Sequence, residues 1–349
     1  MCRQRGRVAM SSRYQPPVTV TPAMLSLVAG ICERIGRWSV TSENVMSPQL
    51  RRGNRIRTIQ ASLAIENNTL SVEQVTAVLE GKRVLGLPRE IQEVRNAFAA
   101  YEQLPLWRAA SVNDLLGAHG LLMAGLVDEA GILRSGGVGI YHGDKLLHMA
   151  PPAKQLDRLL HDLLAWLEST PLHPLIASCV FHYEFEFIHP FSDGNGRMGR
   201  LWQTLVLSQW QPALAWLPVE TVVRDRQAAY YVALAESDRV AQATPFVEFM
   251  LAALLAAMDE AVTDQVSNQV SDQVKRLLKA LTPNGAVKAE DLMLNLGLSH
   301  RATFRSNYLN PALQGGLIEM THPDSPRSPV QKYRLTNKGR ALLTRKKAS

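Results

Sequence analysis

The stretch that decides the fold runs from residue 189 to residue 200 and reads His189-Pro-Phe-Ser-Asp-Gly-Asn-Gly-Arg-Met-Gly-Arg200. Its Gly-Asn-Gly centre, 194–196, predicts a turn, because glycine enters left-handed backbone conformations without Cβ strain. The apolar run that follows, 201–207, contains neither proline nor glycine and predicts the start of a buried helix. A turn that opens a helix directs unpaired backbone N–H groups to one point, and such a point binds anions.

Four side chains in this stretch suit phosphate chemistry. Arg197 and Arg200 lie three residues apart, so we expect both to project from one helix face toward the anion, where guanidinium groups match phosphate oxygens. Asp193 offers a hard oxygen ligand for phosphate-bound Mg²⁺, and His189 can take a proton near neutral pH. The alternative is an ordinary Asn-Gly turn with solvent-facing arginines, but it leaves most of these positions unexplained.

The same twelve residues match, without departure, the signature His-x-Phe-x-(Asp/Glu)-Gly-Asn-Gly-Arg-x-x-Arg, and the chain therefore resembles Fic (filamentation induced by cAMP) domain proteins. The resemblance implies a mainly α fold, namely a helical Fic core with a β-hairpin flap, followed here by a small winged-helix (α+β) domain. It also implies transfer of AMP from ATP to a Ser, Thr or Tyr hydroxyl of a target protein or of the enzyme itself. In that scheme His189 is the catalytic base and Asp193 is the Mg²⁺ ligand. The ATP phosphates are bound by the motif residues Asp193, Gly194, Asn195, Gly196, Arg197 and Arg200.

A second, shorter motif lies at 62–67. Ser62-Leu-Ala-Ile-Glu66-Asn67 resembles the (Ser/Thr)-x-x-x-Glu-(Gly/Asn) inhibitory motif of Fic proteins, in the subclass whose inhibitory helix precedes the core. Ser62 and Glu66 are four residues apart on a helix predicted at about 57–67, so they point to one side. The resemblance implies that Glu66 competes with the γ-phosphate of ATP for Arg200, and that Ser62, Glu66 and Asn67 are regulatory. A plain amphipathic helix with a solvated Glu66 is the alternative.

Two other segments resemble the substrate-binding parts of the family. Gly143-Asp144 separates two short apolar runs and predicts a β-hairpin. The resemblance identifies this hairpin as the flap that docks an extended target segment, whereas a fold-only interpretation makes it a surface excursion. The residues that we expect to bind the nucleotide include three at the start of the flap, Val138, Gly139 and Ile140.

The predicted helix that carries Tyr230 and Tyr231 resembles the one that closes over the adenine in Fic proteins. Asp238 stands where the family usually has Asn, and we count it among the residues that contact the base or ribose. Upstream, His182 is predicted to be a buried core histidine and not a second base. Glu184 and Glu186 are given no role.

The chain divides into four predicted parts: an N-terminal helical region at 1–110, the catalytic core at 111–258, a helical linker at 259–280 and a C-terminal domain at 281–349. Within the linker, valines recur every fourth residue over 263–274, and a homodimer contact along this stripe is an open alternative.

The C-terminal part reads as helix, Gly turn, helix and hairpin, which resembles a winged-helix domain. Arg301 and Arg305 lie on its predicted recognition helix. Residues 281–349 carry 11 Lys/Arg against 4 Asp/Glu, and this excess favours a nucleic-acid partner, although such domains also dock proteins. A second functional hypothesis follows, in which a DNA-binding regulator uses the Fic core to sense nucleotide. A third places AMP removal at the same site, with Glu66 positioning a water.

Composition limits the remaining function classes. A chain of 349 residues with 46% hydrophobic and 20% charged residues is typical of a soluble protein with two or three domains. No apolar run approaches the roughly 20 residues that cross a bilayer, so no membrane partner is expected. The basic start, 1–7, is not followed by a signal-peptide pattern, and Met10 is an alternative start. Three widely spaced cysteines favour a reducing, cytoplasmic setting.

Overall fold

The structure, a computed structural model, describes residues 14–41, 48–142, 145–269, 272–281, 285–323, 325, 328 and 330–344. The chain forms two compact units, Met1–Asp259 and Glu260–Ser349. Two two-stranded antiparallel sheets, one in each unit, accompany the helices. The expected mainly α fold with a β-hairpin is confirmed. Predictions that concern 1–13, including the alternative start at Met10, lie outside the described residues. No described helix is both long enough and apolar enough to cross a membrane.

The N-terminal unit consists of helices packed around a central pair, α7 (Pro174–Ile188) and α8 (Asn195–Trp210), which a short loop at 189–194 connects. Both members of this pair are buried along most of their length, and Phe181, Phe185 and Trp202 are fully buried. The helices described are α1 (Pro22–Thr41), α2 (Pro48–Ile65), α3 (Val72–Leu79), α4 (Pro88–Gln103), α5 (Val112–Leu122), α6 (Leu156–Ser169), α7 (Pro174–Ile188), α8 (Asn195–Trp210), α9 (Val219–Asp225), α10 (Gln227–Val240) and α11 (Thr244–Gln269).

The helix that carries Ser62 is longer than the sequence indicated. It begins at Pro48, a residue favoured in the first helical turn, whereas the apolar stripe predicted a helix only at about 57–67. The first turns lack an apolar stripe because arginines pack there through their planar groups: the Cζ atom of Arg55 lies 4.6 Å from the ring centroid of Trp216. At the other end, Asn67 adopts a φ of 67°, in the left-handed region that asparagine tolerates. The stop predicted at Asn67 is confirmed.

The predicted flap is an antiparallel hairpin of β1 (Gly139–His142) and β2 (Lys145–Met149). Gly139 pairs with Met149, and the register shifts at a bulge between Ile140 and Tyr141. The turn predicted at 143–144 lies outside the described residues, as do the side chains of 140–148.

The C-terminal unit packs its own core around Leu277, Leu278 and Phe304, all fully buried. Its helix, Gly turn, helix and hairpin follow the predicted order, and Gly297 takes a positive φ of 66° at the turn. The elements are α12 (Asp272–Leu281), α13 (Ala289–Asn295), α14 (Arg301–Phe304), a π-helical turn (Arg305–Leu309), α15 (Asn310–Gln314), β3 (Ile318–Met320), β4 (Tyr333–Leu335) and α16 (Asn337–Thr344). The side chains of the valine stripe over 262–271 lie outside the described residues, so a dimer contact there stays a prediction.

Candidate active site

His189 caps the C-terminal end of α7 in a left-handed conformation, with φ 49° and ψ 60°. Its backbone N–H donates to the carbonyl of Phe185 at 2.9 Å. Its Nδ1 lies 3.3 Å from the carbonyl oxygen of Glu186. Because a carbonyl can only accept, this contact requires the proton on Nδ1 and makes Nε2 the ring nitrogen that can accept a proton. The side chain is 17% exposed. His189 is therefore held in the tautomer that a base needs.

Arg134, which the sequence analysis did not single out, holds the loop around His189. Its buried guanidinium donates to the carbonyl oxygens of His189 at 2.7 Å and Ile188 at 3.3 Å. The same group donates to the carbonyls of Gly136 and Pro151, both at 2.7 Å, on either side of the β1–β2 hairpin. One side chain thus ties both ends of the flap to the start of the signature loop.

The signature loop is closed by the side chain of Asn195. Its Oδ1 accepts from the N–H of Phe191 at 2.9 Å, and its Nδ2 donates to the carbonyl of Phe191 at 2.8 Å. Asn195 was expected among the phosphate-binding residues. Its amide side chain is instead fully used in bracing the loop, which leaves its backbone N–H as the group that can face a ligand.

His119 supports the same loop from α5 and was also missed by the sequence analysis. Its Nδ1 accepts the N–H of Gly131 at 2.8 Å, so its Nε2 carries the proton and donates to the carbonyl of Asp193 at 3.0 Å. Its ring stacks on Phe191 with centroids 3.6 Å apart. Burial lowers the pKa of His119, which keeps the imidazole neutral in this role.

The start of α8, where the sequence predicted an anion site, presents the backbone amides of 195–197. Gly194, with φ 84°, donates its N–H to the Asp193 carboxylate at 2.6 Å, and Met198 makes the first helical bond back to Gly194 at 3.0 Å. The N–H groups of 195–197 lie in the first turn, where no earlier carbonyl is in register to accept them. A Cβ at Gly194 would lie 2.6 Å from the sulfur of Met123, so only glycine fits.

The two arginines of the signature diverge, and the expectation that both face one anion needs correction. Arg197 contacts Asp193 at 3.0 Å and Glu93 of α4 at 3.4 Å. Arg200 turns instead toward α2, where its Nη2 lies 2.7 Å from Oε1 of Glu66. Spacing along the helix brings the two Cα atoms to one side, but carboxylates on different helices draw the guanidinium groups apart. In this arrangement Arg197 acts as a brace for the loop.

Arg200 is 3% exposed, and its guanidinium donates to two residues of the 62–67 motif. Its Nε donates to Oγ of Ser62 and its Nη2 to the Ser62 carbonyl, both at 3.0 Å, in addition to Glu66. Burial lowers the pKa of Arg200, but Glu66 together with Tyr230 and Glu186 outweighs this effect and raises that pKa above its usual value. A Cβ placed on Gly196 would collide with Oε1 of Glu66. The carboxylate therefore stands directly over the first turn of α8.

A cavity of about 210 Å³ brings together seven of the predicted site residues. Glu66, Gly196 and Arg200 line it beside His189, and the opposite wall comes from α10. The lining residues that the sequence predicted are Glu66, His189, Gly196, Arg200, Tyr230, Tyr231 and Asp238. Asp193, Gly194, Asn195 and Arg197 stand beside or beneath it, and Val138 and Gly139 belong to the base of the flap.

The α10 wall combines aromatic faces with a fixed carboxylate. Tyr230 is buried and Tyr231 is 45% exposed, with ring centroids 5.4 Å apart. Tyr183 donates its hydroxyl to Oδ1 of Asp238 at 2.8 Å. Burial, followed by this bond, raises the pKa of Tyr183, so the hydroxyl stays protonated and holds Asp238 in place.

Glu186 was given no role in the sequence analysis, yet it lines the same cavity. Its carboxylate lies 3.9 Å from Nδ1 of His189 and 3.8 Å from Nε2 of His182. The neighbouring Glu184 points elsewhere and accepts from the hydroxyl of Tyr14 at 2.6 Å. Glu184 and Glu186, two residues apart on α7, therefore point to different sides of the helix. Their spacing could have predicted this only if the buried face of α7 had been known.

His182 is fully buried, as predicted for a core histidine. Its Nδ1 donates to Oε1 of Gln203 at 2.7 Å, and its Nε2 accepts from the hydroxyl of Tyr230 at 3.2 Å. Burial lowers its pKa from 6.5 to about 3. The ring is therefore neutral at neutral pH.

Acidification is expected to destabilise the protein through His182. Between pH 6.5 and about 3, His182 binds a proton in the unfolded chain but not in the folded protein. The free energy of unfolding therefore falls as the pH falls through this window and is fully recovered above it. The variant His182→Gln should show a flatter dependence of that free energy on pH. Urea midpoints between pH 7 and pH 4 measure it, with the exposed His161→Gln as control. Equal slopes for His182→Gln and the unaltered protein would contradict this.

Asp193 is the residue expected to hold Mg²⁺. Its carboxylate is 42% exposed and contacts Arg89 at 3.2 Å as well as Arg197. Within the described ranges, no group of three or more His, Cys, Asp or Glu side chains could hold a metal ion. One accessible carboxylate beside an anion site fits Mg²⁺ that takes its other ligands from nucleotide phosphates and water.

Comparison with known proteins agrees with this geometry. Residues 109–207 match the Fic/DOC family, and residues 272–336 match the C-terminal domain of the filamentation induced by cAMP protein Fic-like family. A crystal structure of a Fic family protein from Desulfovibrio desulfuricans G20 is 65% identical, covers 93% of this chain and 99% of its own, and superposes with a TM-score of 0.70. The chain belongs to the Fic family.

Two curated relatives carry the name protein adenylyltransferase fic-1. The protein from Caenorhabditis briggsae is 34% identical over 204 residues, which are 54% of this chain and 38% of the relative. The one from Caenorhabditis elegans is 33% identical over 204 residues, 54% of this chain and 37% of the relative. The chain thus spans less than half the length of these relatives. A solved fragment of C. elegans Fic-1 shares the fold at a TM-score of 0.56 and 23% identity, over 70% of this chain and 72% of the fragment.

Proposed function

We propose that this protein transfers AMP from ATP to a Ser, Thr or Tyr hydroxyl of a target protein and to itself. The observation that carries the proposal is the cavity in which His189, the amide-rich start of α8 and Arg200 converge. The names of the Caenorhabditis relatives support the same activity. A base, an anion site and a buried arginine are the groups that nucleotidyl transfer needs.

In the proposed reaction the target hydroxyl gives its proton to Nε2 of His189 as its oxygen attacks the α-phosphorus of ATP. A bond forms between that oxygen and the α-phosphorus, the bond to the bridging oxygen of the β-phosphate breaks, and pyrophosphate leaves. The N–H groups of 195–197 donate to the phosphates where negative charge develops. Arg200 holds the γ-phosphate. Mg²⁺ bound with the nucleotide supplies charge neutralisation, and Asp193 is the residue that would hold it.

Substrate placement in this scheme uses the two walls of the cavity. Tyr231 and Tyr230 offer aromatic faces to the adenine, and the Asp238 carboxylate, which can only accept, would bind the adenine amino group or a ribose hydroxyl. The edge of the β1–β2 hairpin, including Val138 and Gly139, would dock an extended target segment by main-chain pairing. Arg134 ties that edge to His189, so it would align the hydroxyl with the base.

The proposed inhibition follows from the bonds to Arg200. While Glu66 and Ser62 occupy its guanidinium, Arg200 cannot hold the γ-phosphate, and the α-phosphate is not aligned for attack. Asn67 ends α2 in a left-handed conformation and so sets where Glu66 stands.

The activity is tested by incubating the full chain, Mg²⁺ and a cell lysate with ATP labelled at the α- or the γ-phosphate. AMP transfer predicts that adding the chain increases label on protein from the α-position and not from the γ-position, relative to the lysate alone, whose kinases transfer γ-phosphate. An increase in γ-label that depends on the added chain would overturn the proposal in favour of phosphoryl transfer. If instead AMP-labelled protein loses its label and the loss depends on Glu66, AMP removal is the reaction at this site.

A second candidate function, DNA binding, is favoured by the charge of the C-terminal unit. Arg301 and Arg305 line a cavity of about 440 Å³ together with Lys288. We expect the full chain to bind a 20-base-pair duplex at 50 mM salt and to release it at 200 mM. Arg301→Gln and Arg305→Gln should each weaken binding and lower the salt slope by about one, whereas Arg108→Gln in the N-terminal unit should not. Absence of binding at 50 mM salt would exclude this function.

A further inference from the structure

A second cavity in the N-terminal unit, of about 330 Å³, shares no lining residue with the candidate active site. Three arginines from the first two turns of α2 face it, and the remaining walls are mostly apolar. Its lining consists of Pro48, Arg51, Arg52, Arg55, Ile56, Leu79, Phe98, Glu102 and Trp216. Three positive groups and one carboxylate give this lining an excess of two positive charges.

Arg55 is the buried centre of the cluster, with 5% of its surface exposed. Its Cζ lies 4.7 Å from the ring centroid of Tyr101 and 4.6 Å from that of Trp216, so aromatic rings cover the faces of the guanidinium. Its Nε and Nη1 are buried and have no hydrogen-bond partner within the described part of the chain. Burial lowers the pKa of Arg55, and the nearby Tyr101, Glu102 and Glu220 offset this only in part. A buried cation with unused donors is unfavourable unless an acceptor reaches it.

Arg51 repeats this pattern one helical turn earlier. Its Nε is buried and has no hydrogen-bond partner among the residues that the structure describes, and its Cζ lies 5.7 Å from the ring centroid of Trp216. Arg52 differs, because it is 62% exposed and lies 3.7 Å from Glu80. Two arginines with unused donors therefore face one cavity, side by side on one helix face.

We propose that this cavity binds a small organic oxyanion, a phosphate monoester or carboxylate with an apolar body. The oxyanion would accept from the guanidinium groups of Arg51 and Arg55, whose N–H groups suit its planar or tetrahedral oxygens. The apolar body would pack on Phe98, Leu79 and the ring of Trp216. Binding satisfies buried donors that the protein leaves unused, and it holds the first turns of α2 to the segment that carries Trp216.

The test uses the full chain with phenyl phosphate as the probe. Binding is measured by isothermal titration calorimetry and by the change in melting temperature. Phenyl phosphate is expected to bind and to raise the melting temperature in proportion to its occupancy. Phenol, which lacks the charge, should not, and inorganic phosphate, which lacks the apolar body, should bind more weakly. Benzoate in place of phenyl phosphate distinguishes a carboxylate head group from a phosphate one.

Variants assign the binding to this cavity. Arg51→Gln and Arg55→Gln are expected to weaken binding of phenyl phosphate about tenfold or more, whereas the exposed Arg108→Gln should leave it unchanged. Arg51 is only partly buried, so its variant keeps the test valid if Arg55→Gln fails to fold. Equal affinity in Arg51→Gln and the unaltered protein, or a probe that ATP displaces, would overturn the proposal by placing the anion elsewhere. Neither result depends on whether the protein transfers AMP.

Discussion

Replacing His189 by alanine is expected to reduce AMP transfer by about 10²–10⁴-fold, the usual contribution of a general base. The structure keeps its Nδ1 against a carbonyl and leaves Nε2 for the target hydroxyl, so removing the ring removes the proton acceptor. The measurement is the initial rate of label incorporated from α-labelled ATP. Binding of ATP should change little, because in the proposed scheme its phosphates are held by the amides at the start of α8 and not by His189.

Backbone strain is the main alternative cause of lost activity in that variant, since residue 189 has a φ of 49° and alanine tolerates this region poorly. His189→Asn is the matched control: asparagine accepts the left-handed conformation but offers no base. Both variants should melt near the unaltered protein and both should be inactive. If His189→Asn retained more than a tenth of the activity, His189 would not be the base.

Replacing Glu66 by glycine is expected to raise AMP transfer by about 10–100-fold. The change removes a charge-assisted hydrogen bond to Arg200, and such bonds contribute roughly 1.5–3 kcal/mol to the stability of the contact. The freed guanidinium can then bind the γ-phosphate. It also clears the space over Gly196. Self-labelling from α-labelled ATP measures the effect, and the apparent affinity for ATP should rise with it.

Two further variants separate inhibition from other effects of that change. Glu66→Gln keeps the shape but removes the charge, so it should also activate, though less than glycine because its amide still fills the space over α8. The double variant of Glu66→Gly with His189→Ala should be inactive. Activity that falls in Glu66→Gly would contradict the inhibitory role and would favour AMP removal, in which Glu66 positions water.

The sequence predicted the motif residues that line the cavity, because a contiguous motif fixes the loop, the helix start and the groups they present. His189, Gly196 and Arg200 needed no knowledge of distant contacts. Arg134 and His119 could not be found this way, because they bond to backbone carbonyls and amides. Almost every residue has these groups, so the residue types around a contact do not reveal it. The divergence of Arg197 from Arg200 was equally hidden, because it depends on Glu93 and Glu66, which lie on two other helices.

The position of Glu66 over Gly196 also determines how the proposed inhibition would respond to its surroundings. The carboxylate is a competitor tethered to the chain, so its effective concentration at Arg200, on the order of millimolar or above for short tethers, does not change when the protein is diluted or concentrated. Free ATP is then the variable in the competition. If Glu66 inhibits as proposed, the fraction of active molecules follows the nucleotide level and not the concentration of the enzyme, so making more of this protein would not by itself relieve the inhibition.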